Sequence, residues 1–562
     1  MRRAEVEIKH VTGLNRCNNR APSCGDADAD GRFRARGVPI MSLSSSLSRR
    51  GLIAGGAAIA AAAVLPAWAA SGAAFPFTLG VASGDPAPDG FVLWTRLAPD
   101  PLAADGRGGI AGPVPVRWEI AADEGMSRIL RSGVVRADDR FAHSVHVEVA
   151  GLRPGRPYWY RFTAQGHQSP VGLARTAPAP GQAVDRLRIA AASCAHWELG
   201  WFSAYRHMAA DAPDLVFFLG DYIYEYSNGA AQADKVVRRH DRQEALTDLV
   251  GYRNRYALHR TDPDLQALHH AAPCIATWDD HEVENDYANR WSTSLDVTPE
   301  SFLRRRAAAY QAFYEHMPLR RMSLPHGPDM RVYRRLRFGR LAEFAVMDGR
   351  QYRTIQPCPT PTSRRGHVAA ADCPDLFARD RTMLGSAQER WLYDGFRRAS
   401  ATWNVMAQDL LVAPLLQKDP KTGIDGYYTD GWQGYVATRD RMLAAVADSR
   451  LPNPVFLGGD IHSFWTTDLK ARPDGPTVAT EFVGTSITSD GPPYDVFAGI
   501  LPQNPHVRFF DSRERGYMLA EITPERMQTD FRAISDRRDP KATVSTLKRF
   551  VVEAGKAGAV EA

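Results

Sequence analysis

Four short blocks in this sequence put metal-ligating side chains directly after apolar runs. They are Ser193-Cys194 after LRIAAA, Gly220-Asp221 with Tyr224 after LVFFL, Asp279-Asp280-His281-Glu282 after CIATW, and Gly459-Asp460-Ile461-His462 after VFLG. Asn285 and Asp286 follow the third block closely. Carboxylates select hard cations, whereas phenolate and thiolate accept ferric iron. Two cations bridged by one carboxylate clamp a phosphate group and acidify a bound water.

Each block has a bland reading when taken alone. A Gly-Asp after a strand is commonly a turn, and a single Cys194 is commonly a small buried apolar residue. Asp279-Asp280-His281 is harder to dismiss, because three titratable groups after an apolar strand are costly unless paired or metal-bound. The recurrence of these residue types in one topological position favours a metal centre.

The elements that must position these blocks follow from patterning. After about Asp185, apolar strands alternate with helical stretches such as FSAYRHMAA, the arrangement of an α/β (α+β) fold. Groups beyond the carboxyl ends of strands are where such a sheet places its chemistry. From 75 to 178 the pattern is different. FVLWTRLA, PVRWEIAAD, HSVHVEVAGL and PYWYRFTAQ alternate apolar and polar residues between Pro/Gly turns, which reads as an all-β sandwich. TAPAPGQAV is a linker, a catalytic domain spans 185–540, and 541–562 is a final strand with a frayed tail.

The chain has 562 residues, 44% hydrophobic and 24% charged, with a net charge of +5. This composition excludes a disordered or fibrous chain. Residues 1–69 hold ten basic and five acidic residues, so the whole of +5 lies there and the remainder is formally neutral. A basic nucleic-acid or membrane-binding body is thereby excluded. Residues 1–40 lack apolar periodicity, and either Met1 or Met41 is the start. From Met41, Arg49-Arg50, an Ala/Gly-rich run and Ala67-Trp68-Ala69 follow the order of a cleaved twin-arginine signal peptide. That run is too short to span a bilayer. The expected product is exported by the twin-arginine translocation machinery to the periplasm or the exterior. Cys17 and Cys24 leave with the leader, Cys274 reads as core, and Cys358 and Cys373 are expected to form a local disulfide in an oxidising compartment. There is no Gly-rich nucleotide cradle and no serine elbow. No feature specifies an oligomeric state.

The GD-x-x-Y block from Gly220 to Tyr224 resembles a block of the purple acid phosphatases, which are calcineurin-like metallophosphoesterases. The DDHE block is similar to that superfamily's GNHE. The usual D-x-H and G-H-x-H blocks are replaced by Ser193-Cys194 and Gly459-Asp460-Ile461-His462, as in PhoD-type alkaline phosphatases/phosphodiesterases. The opening FTLGVASGDPAPDGFVLWTRL and the preceding sandwich resemble that branch too. GLRPGRPYWYRFTAQG is similar to the last strands of a fibronectin type III-like sandwich, where a tyrosine ties down a corner.

The resemblance implies a calcineurin-like metallophosphoesterase β-sandwich with flanking helices, holding Fe³⁺ and Ca²⁺ in a binuclear or larger centre. By motif, Cys194, Asp221, Tyr224, Asp280, Asp460 and His462 are its ligands. Asn285 is a metal or phosphate contact, and His281 either gives a proton to the leaving oxygen or holds the phosphate. Arg350 is the phosphate-binding cation, with Arg353 a weaker candidate, and Glu282 and Asp286 support the ligands. The expected activity is hydrolysis of phosphate monoesters and diesters by an alkaline phosphatase. The alternatives are a phospholipase D-like phosphodiesterase on the same scaffold and a secreted non-catalytic binding protein.

Overall fold

Period-two patterning in a strand sends alternate side chains to opposite faces of its sheet, and here both faces are apolar. In Leu215–Leu219, residues Leu215, Phe217 and Leu219 enter one core while Val216 and Phe218 enter another. Leu187–Ala192 divides the same way, with Ile189 on one side and Ala190 on the other. In Pro454–Gly458, Val455 and Leu457 share the first core, whereas Phe456 faces a third.

The computed structural model of the chain describes residues 74–419 and 422–562. The expectations for the leader, its twin arginines, Cys17 and Cys24 fall outside that range. The two largest sheets of the described residues stack with helices on the outside, so the mixed α/β reading holds. In the first sheet Leu187–Ala192, Leu215–Leu219 and Cys274–Thr277 run parallel side by side. Antiparallel strands Arg515–Ile522, Arg526–Ile534 and Val544–Glu553 extend one flank. The second sheet is built on parallel Ala342–Val346, Trp403–Ala407, Pro454–Gly458 and Thr477–Val483. Their inner faces meet in one core containing Phe217, Phe344, Val405 and Phe482. Helices Ser203–Ala210, Leu249–Arg260, Pro263–Ala271 and Pro299–His316 cover the first sheet. Gly385–Arg397 and Val436–Asp448 cover the second.

The N-terminal strands do form a sandwich. Val81–Ala87, Gly90–Arg96 and Ser144–Val149 pack on a smaller sheet containing Val114–Ala121, Ile129–Ala137 and Pro157–Ala164. The expected separation of 75–178 from 185–540 is crossed by the sheet itself, because Val81–Ala87 pairs in parallel with Cys274–Thr277 at Gly84 and Cys274. A buried ion pair between Asp85 and Arg334 ties the same parts together. The end of the chain also differs from expectation. Val544–Glu553 belongs to the main sheet, and Val560–Glu561 pairs back onto it rather than fraying. Cys358 and Cys373 are joined, and Cys274 is buried. Among the described residues no helix is long and apolar enough to cross a membrane.

Candidate metal centre

The parallel strands of both sheets end together, and each end turns sharply. Cys194, Asp221, Asp286, Asp460 and His462 all have positive φ, a conformation that non-glycine residues adopt rarely. Gly220, at φ +108°, has no alternative, since a Cβ there would meet Asp279 Cβ at 2.4 Å. Glu282 holds two of the ends against each other. Its carboxylate accepts from the backbone N–H of Asp221 at 3.1 Å, Tyr222 at 2.7 Å and Asp279 at 2.9 Å. Burial pushes the Glu282 carboxyl up to about 7.

The six residues expected as ligands come together. Cys194, Asp221 and His462 each bring a ligand atom within 4.8 Å of the others, and so do Asp221, Asp280 and His281. A third such group is Asp279, Asp280 and Asp460. The Tyr224 hydroxyl lies 3.0 Å from Asp221 Oδ2 and 3.1 Å from His462 Nε2, and accepts from Ser489 Oγ at 2.7 Å. His462 donates Nδ1–H to the Asp490 carbonyl at 2.8 Å, which turns Nε2 towards the centre. Burial pushes His462 down to about 4, so the ring is neutral, as a metal ligand must be. Burial also raises Cys194, Asp221 and Tyr224 well above their ordinary values.

His281 is held by Glu225, whose Oε2 lies 2.7 Å from Nδ1. Burial opposes its charge, but Asp221, Glu225 and Asp280 outweigh burial and raise His281 well above the ordinary histidine value. For Asp280 burial acts upward, yet Arg350 and His281 pull it below the usual carboxylate range.

A family model for PhoD-like phosphatases matches residues 189–531, and one for their N-terminal domain matches 60–178. Alkaline phosphatase D of Bacillus subtilis (strain 168) is 45% identical over 491 residues, covering 86% of this chain and 82% of that protein. A solved structure of PhoD matches with a TM-score of 0.81 at 43% identity, covering 88% of this chain and 93% of that one. The chain belongs to the PhoD-like phosphatase family. It is a phosphoric ester hydrolase, not the non-catalytic binding protein that the sequence also allowed.

The donor set of this PhoD-like phosphatase fits metal ions. Asp279 Oδ2, Asp280 Oδ1 and both oxygens of Asp409 are buried without a hydrogen-bond partner among the described residues. Unpaired buried carboxylate oxygens are costly unless a cation meets them. One group joins Cys194 and His462 to Asp221, whereas two others, Asp279/Asp280/Asp460 and Asp280/Asp286/Asp430, are carboxylates alone.

Arg350 lies among five carboxylates. It is fully buried, and its donors are taken. Nε faces Asp279, Nη1 donates to Asp430 at 2.6 Å, and Nη2 lies 3.5 Å from both Asp280 and Asp460. Arg350 therefore gathers the carboxylates. Arg353 supports the same arrangement by donating to Asp430 Oδ1 at 2.6 Å. Asn285 enters through its backbone N–H, which donates to Glu225 at 2.8 Å. Its side-chain amide makes no hydrogen bond among the described residues. Asp286 pairs with Arg365 and accepts from the Tyr428 hydroxyl at 3.1 Å.

Sequence reasoning missed Glu225, Asp409 and Asp430. Asp409 carried the same signal as the other blocks, an acid just past the apolar strand Trp403–Ala407. Glu225 stood in view in the DYIYEY loop. Asp430 lies in an irregular loop, and no local pattern points to it.

Proposed function

We propose that this phosphatase is an exported, metal-dependent alkaline phosphatase that hydrolyses phosphate monoesters and diesters to release inorganic phosphate. The observation that carries the reading is the double membership of Asp221. Its carboxylate belongs to the Cys194–His462 group and to the Asp280–His281 group, which supports reading Asp221 as a bridge between two cations. The alkaline character is supported by the Bacillus relative's name. The fold reading is a calcineurin-like metallophosphoesterase preceded by a fibronectin type III-like sandwich. The Tyr158 hydroxyl, bonded to both the N–H and the carbonyl of Arg153, supports the second part as a tyrosine corner. Export rests on the Arg49-Arg50 leader.

Cys194, Asp221, Tyr224 and His462 suit Fe³⁺, and Asp221, Asp280 and Asp460 suit Ca²⁺. Bound there, the ions would supply positive charge to the phosphate and acidity to water. His281, with Nδ1 held by Glu225, is the residue we assign to give its Nε2 proton to the leaving alcohol as the ester P–O bond breaks. Glu225 fixes the ring for that donation. Arg350 favours the ionised form of Asp280 and holds Asp280 and Asp460 in place.

The test is turnover of p-nitrophenyl phosphate and bis-p-nitrophenyl phosphate before and after chelation, then after adding Ca²⁺. Activity should vanish and return. Full activity after verified removal of all metal overturns the proposal. Colourless, iron-free, fully active protein removes Cys194 and Tyr224 from the ligand set. Turnover of phosphatidylcholine and the diester without the monoester would favour the phospholipase D-like alternative.

A further inference from the structure

Eleven arginines lie between residues 75 and 178. Six of them, Arg107, Arg117, Arg136, Arg140, Arg161 and Arg175, pair with carboxylates. Arg96 is buried and donates to the carbonyls of Ala142 and Gly106. The four that remain are Arg128, Arg131, Arg153 and Arg156. None of them forms an ion pair among the described residues, and all four line a single cavity of about 560 Å³. No acidic residue is in its wall. Among the described residues the Arg131 guanidinium donates to the Leu130 and Gly151 carbonyls. The acid closest in sequence, Asp123, is occupied by the N–H groups of Ser127 and Arg128, both at 2.9 Å.

The frame of this cavity is rigid. Tyr158 Oη accepts from Arg153 N–H at 2.9 Å and lies 3.1 Å from its carbonyl. Thr176 Oγ1 donates to the Arg153 carbonyl at 2.7 Å and accepts from Arg156 N–H at 3.1 Å. The turn bearing two of the arginines is thus held before any ligand arrives, which lowers the ordering cost of binding.

We propose that this cavity is a second anion-binding site, sharing no residue with the metal centre, that takes a flexible chain carrying several phosphate groups. The proposal rests on the phosphate-ester reading above, since such a chain is a multivalent form of that substrate. A guanidinium matches a phosphate in a two-pronged contact, and four of them exceed what one phosphate can occupy. Exposed surface arginines are normally partnered or dispersed, whereas these converge on a concavity. A flat lipid surface would not enter it. Nucleic-acid grooves offer aromatic platforms for bases, but the one ring in this wall, Tyr158, is buried with its hydroxyl engaged. The apolar wall from Leu130, Leu152 and Pro157 suits the uncharged linkers of such a chain.

The experiment measures fluorescence anisotropy of a labelled abasic deoxyribose-phosphate oligomer on the metal-loaded enzyme, read before turnover. Arg131→Glu with Arg153→Glu should weaken binding at least about tenfold and flatten its salt dependence. Arg128→Gln with Arg156→Gln, which reverses no charge, should weaken it severalfold and guards against misfolding. Turnover of p-nitrophenyl phosphate should stay at the wild-type rate in both. Wild-type affinity in both double variants overturns the proposal. So does equal competition by polyglutamate or by anionic lipid vesicles. A wild-type enzyme that binds the oligomer through these arginines but never hydrolyses p-nitrophenyl phosphate sinks the phosphatase reading and leaves the site standing.

Discussion

Two sets of turns in this chain meet the same backbone demand with different residues. In the sandwich, the turn before Tyr158 places Gly151 and Gly155 where φ is +75° and +65°. At the metal centre the corresponding positions are Cys194, Asp221, Asp286, Asp460 and His462, with φ between +52° and +64°. A side chain in the left-handed region costs roughly 1–2 kcal/mol, and glycine avoids that cost. Positions 151 and 155 of the sandwich turn need only shape, so glycine fills them. The strand ends of the catalytic sheets need shape and a ligand atom at the same residue. The strain there persists because hydrogen bonds such as the three to Glu282 over-determine the backbone.

The strongest way to break this comparison is to remove a ligand atom while keeping the backbone. Asp221→Asn keeps the volume but lowers the charge that both ligand groups share. Turnover of p-nitrophenyl phosphate should fall by about 10³ or more, on the order of 4 kcal/mol in the barrier. Far-ultraviolet circular dichroism should remain that of the wild type. Near-normal turnover would mean that the strain at Asp221 serves the fold and not the chemistry.

The two regions were unequally legible in the sequence. The strands that end at Cys194, Asp221, Asp279 and Asp460 could be read because each is an apolar run closed by a polar block. The sandwich could be read from its period-two strands. Arg350 could be found as a residue, but its setting could not. Its surroundings come from Asp279, Asp280, Asp409, Asp430 and Asp460, five acids spread over 182 positions of chain, and only folding brings them together. The joining of Gly84 to Cys274 was hidden for the same reason. A strand's pattern shows which faces are buried, not which neighbour it will have.

A second contrast lies in how the turns are anchored. The sandwich corner hangs on the Tyr158 hydroxyl, whereas the loop after Asp409 hangs on a carboxylate. Glu481 accepts from Val412 N–H at 2.6 Å, Ala413 N–H at 3.0 Å and Thr467 Oγ1 at 2.9 Å. Burial lifts Glu481 from an ordinary 4.5 to about 7. Between those values the folded state keeps a proton that the unfolded chain has lost. Stability from this group is therefore greatest below pH 4.5 and declines as pH rises to about 7, by on the order of 3 kcal/mol. The melting temperature of Glu481→Gln should lack this decline. Parallel curves for the two proteins across that window would discount Glu481 as the titrating anchor.

The smallest effects are the most direct measure of the opening contrast, because they have opposite signs. Gly155→Ala puts a Cβ at φ +65° with no atom nearer than 3.5 Å, so crowding is absent and only the backbone conformation is charged. It should destabilise the protein by about 1 kcal/mol. Asp221→Gly does the reverse at φ +52°. It also removes a buried carboxylate whose neighbours Asp279, Asp280 and Glu282 carry the same sign. Opposing this, it gives up the attraction to His281 and the hydrogen bonds from Tyr224 and His281, and makes the unfolded chain more flexible. The relief of strain and of like charge is the larger sum, so the metal-free variant should be more stable than metal-free wild type by about 1 kcal/mol while having no activity. Denaturant titration of both chelated proteins reads this difference. A loss of stability in Asp221→Gly would show that the left-handed strand end is held at no cost, and the contrast between the two regions would reduce to their chemistry alone.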